Sequence, residues 1–251
     1  MTDFDLSRRT VFVTGATSGL GRHFAKVLAG AGAAVAITGR RADRLETLER
    51  EIVDGGGNCA AIVLDVTDDA RIPPAFDEAE RKLGAIDVLV NNAGMNLPGL
   101  VLDRTVEEFD SVLKTDLRAP FVLAREAGRR MIARGQGGRV INVGSIGSLR
   151  VLPGLTAYCI AKAALAMMTQ CLAREWARHD IKVNAICPGY VETELNSVWF
   201  GTERGREQVR SFPLRRLIRE RDLDGILLLL ASDASRAMTG SILTIDDAQS
   251  L

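Results

Sequence analysis

The chain has 251 residues, 47% of them hydrophobic and 25% charged, and its 32 basic and 32 acidic side chains cancel to a formal net charge of zero. A chain of this length buries one large core, and the neutral balance leaves no field to draw it to nucleic acid or an anionic membrane, so a small molecule is the expected partner. Four scattered cysteines (Cys59, Cys159, Cys171, Cys187) without a C-x-x-C pair, two histidines (His23, His179), a polar start and a longest apolar run (226–231) far too short for a bilayer predict a reduced, cytoplasmic protein with no metal site.

Apolar runs of four to six residues alternate with longer stretches of helical period, the pattern of repeated βαβ units around a parallel sheet. In chain order the pattern predicts a strand at 10–14, helix at 20–31, strand at 34–38, helix at 42–54, strand at 60–64, helix at 69–83, strand at 88–91, helix at 107–134, strand at 140–143, helix at 157–179, strand at 182–186, helix at 223–232 and strand at 242–245. Glycines and prolines at 55–57, 135–138 and 188–189 punctuate the ends. Residues 190–217 fit neither period and carry Trp199, Phe200 and Phe212; a connection that long in a compact domain is usually an active-site cover. The expected fold is α/β, one Rossmann-type doubly wound domain over residues 1–251, with a seven-stranded parallel sheet and helices on both faces.

The first strand runs into Thr14-Gly15-Ala16-Thr17-Ser18-Gly19-Leu20-Gly21. Glycines between a strand and a helix let backbone N–H groups approach a pyrophosphate while the positive helix end faces its charge. At the end of the second strand a carboxylate would accept from a ribose 2′-OH and repel a 2′-phosphate, but this chain offers Gly39, Arg40 and Arg41. Guanidinium forks fit phosphate, so NADP(H) is favoured, through Arg40, with NAD(H) as the alternative because Thr17 and Ser18 add no second basic residue. Asp65 ends the third strand, where it can accept from an adenine amino group, and Asn91-Asn92-Ala93-Gly94 ends the fourth, leaving room beside the ribose and nicotinamide.

Tyr158 and Lys162 stand one turn apart near the start of a helix, and Ser145 follows an apolar strand. A tyrosine has a pKa of about 10, and an ammonium at about 4 Å is worth up to about 4 kcal/mol at an effective dielectric of about 20, enough to lower a phenol by as much as roughly three units. Tyr158 is therefore the candidate general acid and base, Lys162 its electrostatic partner and a holder of ribose hydroxyls, and Ser145 the group that fixes the reacting oxygen. Ser148 is a rival for the last place, less well offset from the strand. Asn96, Leu97, Ile146, Leu152, Tyr190 and Trp199 are candidate pocket residues, and small residues along the long helix (Ala157, Ala161, Ala164, Ala173) would permit close approach across a twofold axis.

These motifs, T-G-x-x-x-G-x-G, N-N-A-G, the serine, Y-x-x-x-K and Pro188-Gly189 followed by Thr193, occur in the order of the short-chain dehydrogenase/reductase family, which the chain resembles from about residue 10 to 243. The resemblance implies a usually tetrameric Rossmann enzyme that moves hydride between a nicotinamide dinucleotide and a carbonyl or alcohol, like 3-oxoacyl-carrier-protein reductases and sugar or polyol dehydrogenases. It adds Gly15, Thr17, Ser18, Gly19, Leu20, Gly21, Val66, Asn92, Ala93, Gly94, Pro188, Gly189, Val191 and Thr193 to the cofactor site, alongside Tyr158 and Lys162. Two departures stand out. Asp116 occupies the place of an asparagine whose backbone carbonyl helps hold a water beside the lysine, and its carboxylate would add negative charge near Lys162. Asp246-Asp247-Ala248 replaces a D-G-G turn. These departures are the only hints of a third possibility, a dinucleotide-binding sensor without turnover.

Overall fold

Alternation along β1 (Thr10–Val13) decides the layering: Val11 and Val13 enter one apolar layer and Phe12 the other, so the strand is buried on both faces. The computed structural model describes residues 4–193 and 196–251. Its sheet also contains β2 (Ala34–Gly39), β3 (Asn58–Val63), β4 (Val88–Asn91), β5 (Gly138–Val143), β6 (Ile181–Pro188) and β7 (Ile242–Ile245), in the order β3-β2-β1-β4-β5-β6-β7 with every pairing parallel. Strand order reverses between β1 and β4, and ligands of open α/β sheets bind at the carboxyl ends on either side of such a reversal.

On one face lie α1 (Gly19–Gly30), α2 (Ala42–Asp54) and the later helix Asp224–Ala231, burying Phe24, Leu28, Leu45, Leu48, Leu227 and Leu230. The other face is covered by α3 (Ile72–Leu83), the pair α4 (Val106–Leu113) and α5 (Ala119–Arg134), and α6 (Thr156–Trp176). Phe76 of α3 stacks on Phe12 with ring centroids 4.4 Å apart. Gly128 of α5 lies so close to Trp176 that a Cβ there would come within 2.8 Å of the indole, so α5 and α6 approach only because that side chain is missing. By composition and length the stretch Thr156–His179 is long and apolar enough to cross a bilayer, a property the short-run test on the sequence does not detect. Leu165, Leu172 and Lys162 on it are buried, while Ile160 and Met167 are exposed.

Besides shifts of a few residues at other ends, three stretches differ from the sequence reading. The expected helix at 107–134 is divided: Thr105 and Glu108 form a reciprocal cap that starts α4, and Lys114–Arg118 is a π-helical turn leading into α5. Pro120 explains part of this, because it has no N–H to bond the Asp116 carbonyl four residues back, and Ala119 instead donates to the Lys114 carbonyl. The helix expected at 69–83 begins with a 3-10 turn, Asp69–Arg71, and becomes α3 at Ile72. The cover expected at 190–217 is partly helical, with α7 (Ser197–Phe200) and α8 (Glu203–Ser211); residues 194 and 195 lie outside the described set. Tyr190 gathers this segment by stacking on Phe212 at 5.4 Å and meeting Phe200 edge-on at 5.7 Å.

After α9 (Asp224–Ala231) and β7 the tail turns sharply. Asp247 and Ala248 take φ of 49° and 62°, the left-handed region, at the two positions where the resemblance leads one to expect glycine. The Asp246 carboxylate holds the turn by accepting from the N–H groups of Ala248 (3.1 Å) and Ser250 (2.8 Å), and Asp247 pairs with Arg216 at 2.6 Å. Gln249 then accepts from the Tyr190 N–H at 2.7 Å, and its carbonyl accepts from Arg150 at 2.8 Å, which ties the tail to the exits of β6 and β5. A left-handed alanine costs roughly 1–2 kcal/mol, part of which glycine returns as unfolded-state entropy. Ala248→Gly is expected to raise unfolding stability by about 0.5–1 kcal/mol in a denaturant titration; a loss of stability would show that the turn is not strained.

Candidate active site

The glycine loop is held from behind by the end of β4. Thr14 Oγ1 accepts from the N–H groups of Asn92 and Ala93, both at 3.0 Å, and Asn92 Nδ2 donates to the carbonyls of Thr14 (2.9 Å) and Gly15 (3.3 Å). Asn92 thus faces the loop, not the room expected beside a nicotinamide. A Cβ on Gly21 would lie 2.3 Å from the Gly15 carbonyl oxygen and 2.4 Å from Asn92 Nδ2, and Gly15 takes φ of 68° with Ala93 Cα 2.8 Å from its missing Cβ. The loop therefore requires these glycines. Leu20 packs on the core, and Ser18, the N-cap of α1, makes no side-chain cap, so the first-turn N–H groups, which have no intrahelical acceptors, stand at a positive helix end suited to a pyrophosphate.

Beside this loop the structure puts Arg41 rather than Arg40. Arg41 donates through Nη2 to Thr17 Oγ1 (2.6 Å) and Ser18 Oγ (2.8 Å) and through Nε to Thr17 Oγ1 (3.1 Å). Strand parity is the signal that finds it. Val35 and Ile37 point into the α1 layer, and Gly39 points at Thr17, whose Cγ2 is 2.5 Å from the missing Cβ, so Arg41 follows on the same face. Arg40 falls on the other parity and acts electrostatically on Asp65. The Asp65 carboxylate accepts from Thr67 N–H (2.9 Å) and Oγ1 (2.8 Å), bonds that with Arg40 hold it below the usual carboxylate range, and Val66 next to it is buried.

At the ends of β5, the π turn and α6, three side chains converge. Lys162 is 4% exposed; its Nζ donates to the Val143 carbonyl at 3.0 Å, lies 3.2 Å from Asp116 Oδ2, and sits 5.5 Å from the centroid of the Tyr158 ring. Asp116 is fully buried and its Oδ1 accepts the Met95 N–H at 2.8 Å. Gly94 leaves space for this pair, since a Cβ there would be 3.0 Å from Asp116 Oδ2 and 3.5 Å from Lys162 Nζ. Burial pushes the Tyr158 phenol above its ordinary value, with Lys162 and a hydrogen bond to Ser145 pulling the other way and Asp116 adding to the rise. Burial also opposes the charge on Lys162, but Asp116 and Tyr158 outweigh it and hold the ammonium above its ordinary value. Burial raises the Asp116 carboxyl against the pull of Lys162 and the Met95 N–H.

Ser145 Oγ is fixed by the Gly147 N–H at 3.0 Å, while Ser148 Oγ accepts the Ser145 N–H at 3.3 Å and hydrogen-bonds Cys187, behind the cluster. Behind β4 and β5 a buried chain of polar groups, invisible to a search for reactive residues, runs from the Pro120 carbonyl through Asn91 and Asn142 to Thr169. Pro188 ends β6, and Thr193 reaches over to the glycine loop, with its Cβ 3.6 Å from the missing Cβ of Gly19. Val191 is buried in a bridge to Ile218, and Gly189 is constrained by the tail, because a Cβ there would be 2.4 Å from Gln249 Oε1. Of the candidate pocket residues, Ile146 and Leu152 are buried, Asn96 and Leu97 are half-buried, Tyr190 belongs to the aromatic cluster, and Trp199 is exposed with its Nε1 donating to Gln208. Met95 and the Val143 carbonyl are the site groups the sequence reading missed; nothing in their residue types signals such a role.

A family model described as Enoyl-(Acyl carrier protein) reductase matches residues 15–247. The chain is 32% identical to a gluconate 5-dehydrogenase of Gluconobacter oxydans, over 97% of this chain and 95% of that one. It is 33% identical to an NAD-dependent glycerol dehydrogenase of Listeria innocua, over 97% of this chain and 94% of the other. A crystal structure of a gluconate 5-dehydrogenase from Burkholderia cenocepacia in complex with NADP and tartrate superposes with a TM-score of 0.94 at 34% identity, covering 99% of this chain and 97% of that one. Matches of this extent, to a chain whose glycine loop, serine, tyrosine and lysine lie at the carboxyl-end side of the central strands, show that it belongs to the short-chain dehydrogenase/reductase family of NAD(P)-dependent oxidoreductases acting on CH–OH groups.

Proposed function

We propose that the chain is an NADP(H)-dependent carbonyl reductase or alcohol dehydrogenase of small, polyol-like substrates, with Tyr158 as general acid and base. The observation that carries this reading is the buried Lys162 ammonium beside the Tyr158 ring, with Ser145 hydrogen-bonded to the same phenol. The dinucleotide, when bound, supplies the hydride. Its pyrophosphate fits the first turn of α1 and the space kept by Gly15, Gly19 and Gly21; Asp65 and Val66 suit the adenine side, and Asn92, Ala93, Gly94, Pro188, Gly189, Val191 and Thr193 frame the remainder. Ser145 orients the reacting oxygen, Tyr158 gives it a proton in reduction and takes one in oxidation, and Lys162 stabilises the phenolate and would hold the ribose hydroxyls. Asp116 acts on this set through Lys162.

The 2′-phosphate preference rests on Arg41, whose guanidinium already bridges Thr17 and Ser18, with Arg40 adding charge nearby. A second reading, NAD(H), is supported by the printed name of the Listeria relative. Residues 1–251 act as one catalytic domain under a substrate cover at 190–217, in the cytoplasm and as a homotetramer. Exposed Phe121, Ile160 and Met167 on α5 and α6 support the assembly better than the small residues do, since Ala161 and Ala173 are buried within the subunit.

Three outcomes test the proposal. Tyr158→Phe is expected to lower kcat about 10²–10⁴-fold in an assay of nicotinamide absorbance while dinucleotide affinity stays within about threefold; a variant that kept most of its rate would refute the mechanism. Arg41→Ala is expected to weaken NADPH binding about tenfold or more and NADH binding little, with a smaller effect from Arg40→Ala; unchanged NADPH affinity in both would remove the 2′-phosphate site. Oxidation needs the phenolate, whose fraction grows with pH, and reduction needs the phenol. With the phenol raised by burial, the oxidation rate is expected to climb from neutral into alkaline pH as the reduction rate falls. A flat profile in both directions would contradict it.

A further inference from the structure

Asp116 is a fully buried carboxylate set against the catalytic cluster, with neither oxygen turned to water. Oδ1 accepts the Met95 N–H at 2.8 Å, a bond that favours the ionised form, and Oδ2 faces the Lys162 ammonium at 3.2 Å. Lys162 gives an N–H to the Val143 carbonyl at 3.0 Å. The ammonium next to the phenol is therefore faced, out of reach of solvent, by a carboxyl whose ionised form the Lys162 ammonium and the Met95 N–H favour against the cost of its burial. The π turn at Lys114–Arg118 and the missing side chain of Gly94 bring that carboxyl within reach.

We infer that Asp116 is a positioning residue that offsets the charge of Lys162 and so makes Tyr158 a weaker acid than a lone ammonium would, keeping the phenol protonated through the neutral range. The inference rests on the reading of Tyr158 as proton carrier. Among the described residues, the other titratable groups acting on the phenol and the ammonium are Cys159 of α6 and Cys187 of β6. Burial pushes the Cys187 thiol up, so it stays neutral near pH 7 and does not substitute for a carboxylate. A protonated Tyr158 at neutral pH readies the enzyme to donate to a carbonyl oxygen and delays its service as a base. The overall equilibrium is unchanged; what moves is the pH at which each direction reaches its limiting rate.

The chain has two tyrosines, Tyr158 and Tyr190, so Tyr190→Phe leaves Tyr158 as the only one. Tyrosinate absorbance, read within milliseconds of pH jumps on dinucleotide-free protein, then reports Tyr158 alone. Adding Asp116→Asn, which keeps size and an acceptor for Met95, is expected to lower the tyrosinate midpoint by about one pH unit and to move the alkaline rise of the oxidation kcat in the same direction. Asp116→Ser, also uncharged, makes the same comparison if the amide variant does not fold. A role limited to structure would change the melting temperature and leave the midpoint in place; an unchanged or raised midpoint overturns the inference. Failure of the underlying reading would look different: no nicotinamide-linked turnover on carbonyls or alcohols, with the absorbance shift still present.

Discussion

A single buried ammonium organises the working end of this molecule. Lys162 has to leave water, and a charge that does so is tolerated only where acceptors wait for it. The Val143 carbonyl at the end of β5 and the Asp116 carboxylate of the π turn provide them. Satisfying the lysine therefore fixes three elements with respect to one another, and Tyr158, one turn earlier on α6, has no freedom to drift from its partner. The same requirement accounts for the break between α4 and α5, since a regular helix with Pro120 in it would leave the Asp116 carbonyl without a donor and would not present the side chain in this way.

The glycine loop follows a similar logic with neutral groups. Thr14 and Asn92 join the ends of β1 and β4 through hydrogen bonds, so the turn that would carry a pyrophosphate is shaped before any ligand arrives. Preorganised donors cost nothing to reorient when charge appears. Arg41 extends the arrangement outward by tying the loop hydroxyls to the end of β2. The cofactor side is thus stiff, whereas the substrate side, the segment gathered around Tyr190 and pinned by Gln249, is assembled from residues far apart in the chain.

Much of this was legible in the residues. Strand period and glycine punctuation locate the seven strands, and the helix spacing of Tyr158 and Lys162 puts them on one face without any structure. What escaped has particular physical causes. The choice between Arg40 and Arg41 depends on side-chain parity carried one residue past the strand end, which composition alone does not state. The π turn leaves no trace in hydrophobic period, because the apolar positions continue through it and only the placement of Asp116 and Pro120 gives it away. Asn92 reads as a ligand group from its place after β4, but its amide answers two backbone carbonyls first. The helices at 197–211 are short, the second of them strongly polar, and the packing of Phe200 and Phe212 on Tyr190 holds the segment where local propensity would not. At the tail, Asp247 and Ala248 adopt a backbone that sequence rules assign to glycine, held there by Asp246 and Arg216.

The central claim is that Tyr158 changes protonation beside a bound nicotinamide. Carbon-13 labelling at the tyrosine ring yields two resonances in this chain, one of which disappears in Tyr158→Phe. With oxidised dinucleotide bound, the account predicts that the Tyr158 resonance moves to the phenolate position at the pH where the oxidation rate climbs, while Tyr190 does not move there. Two resonances that both stay at the phenol position up to that pH, with the dinucleotide in place, would contradict it.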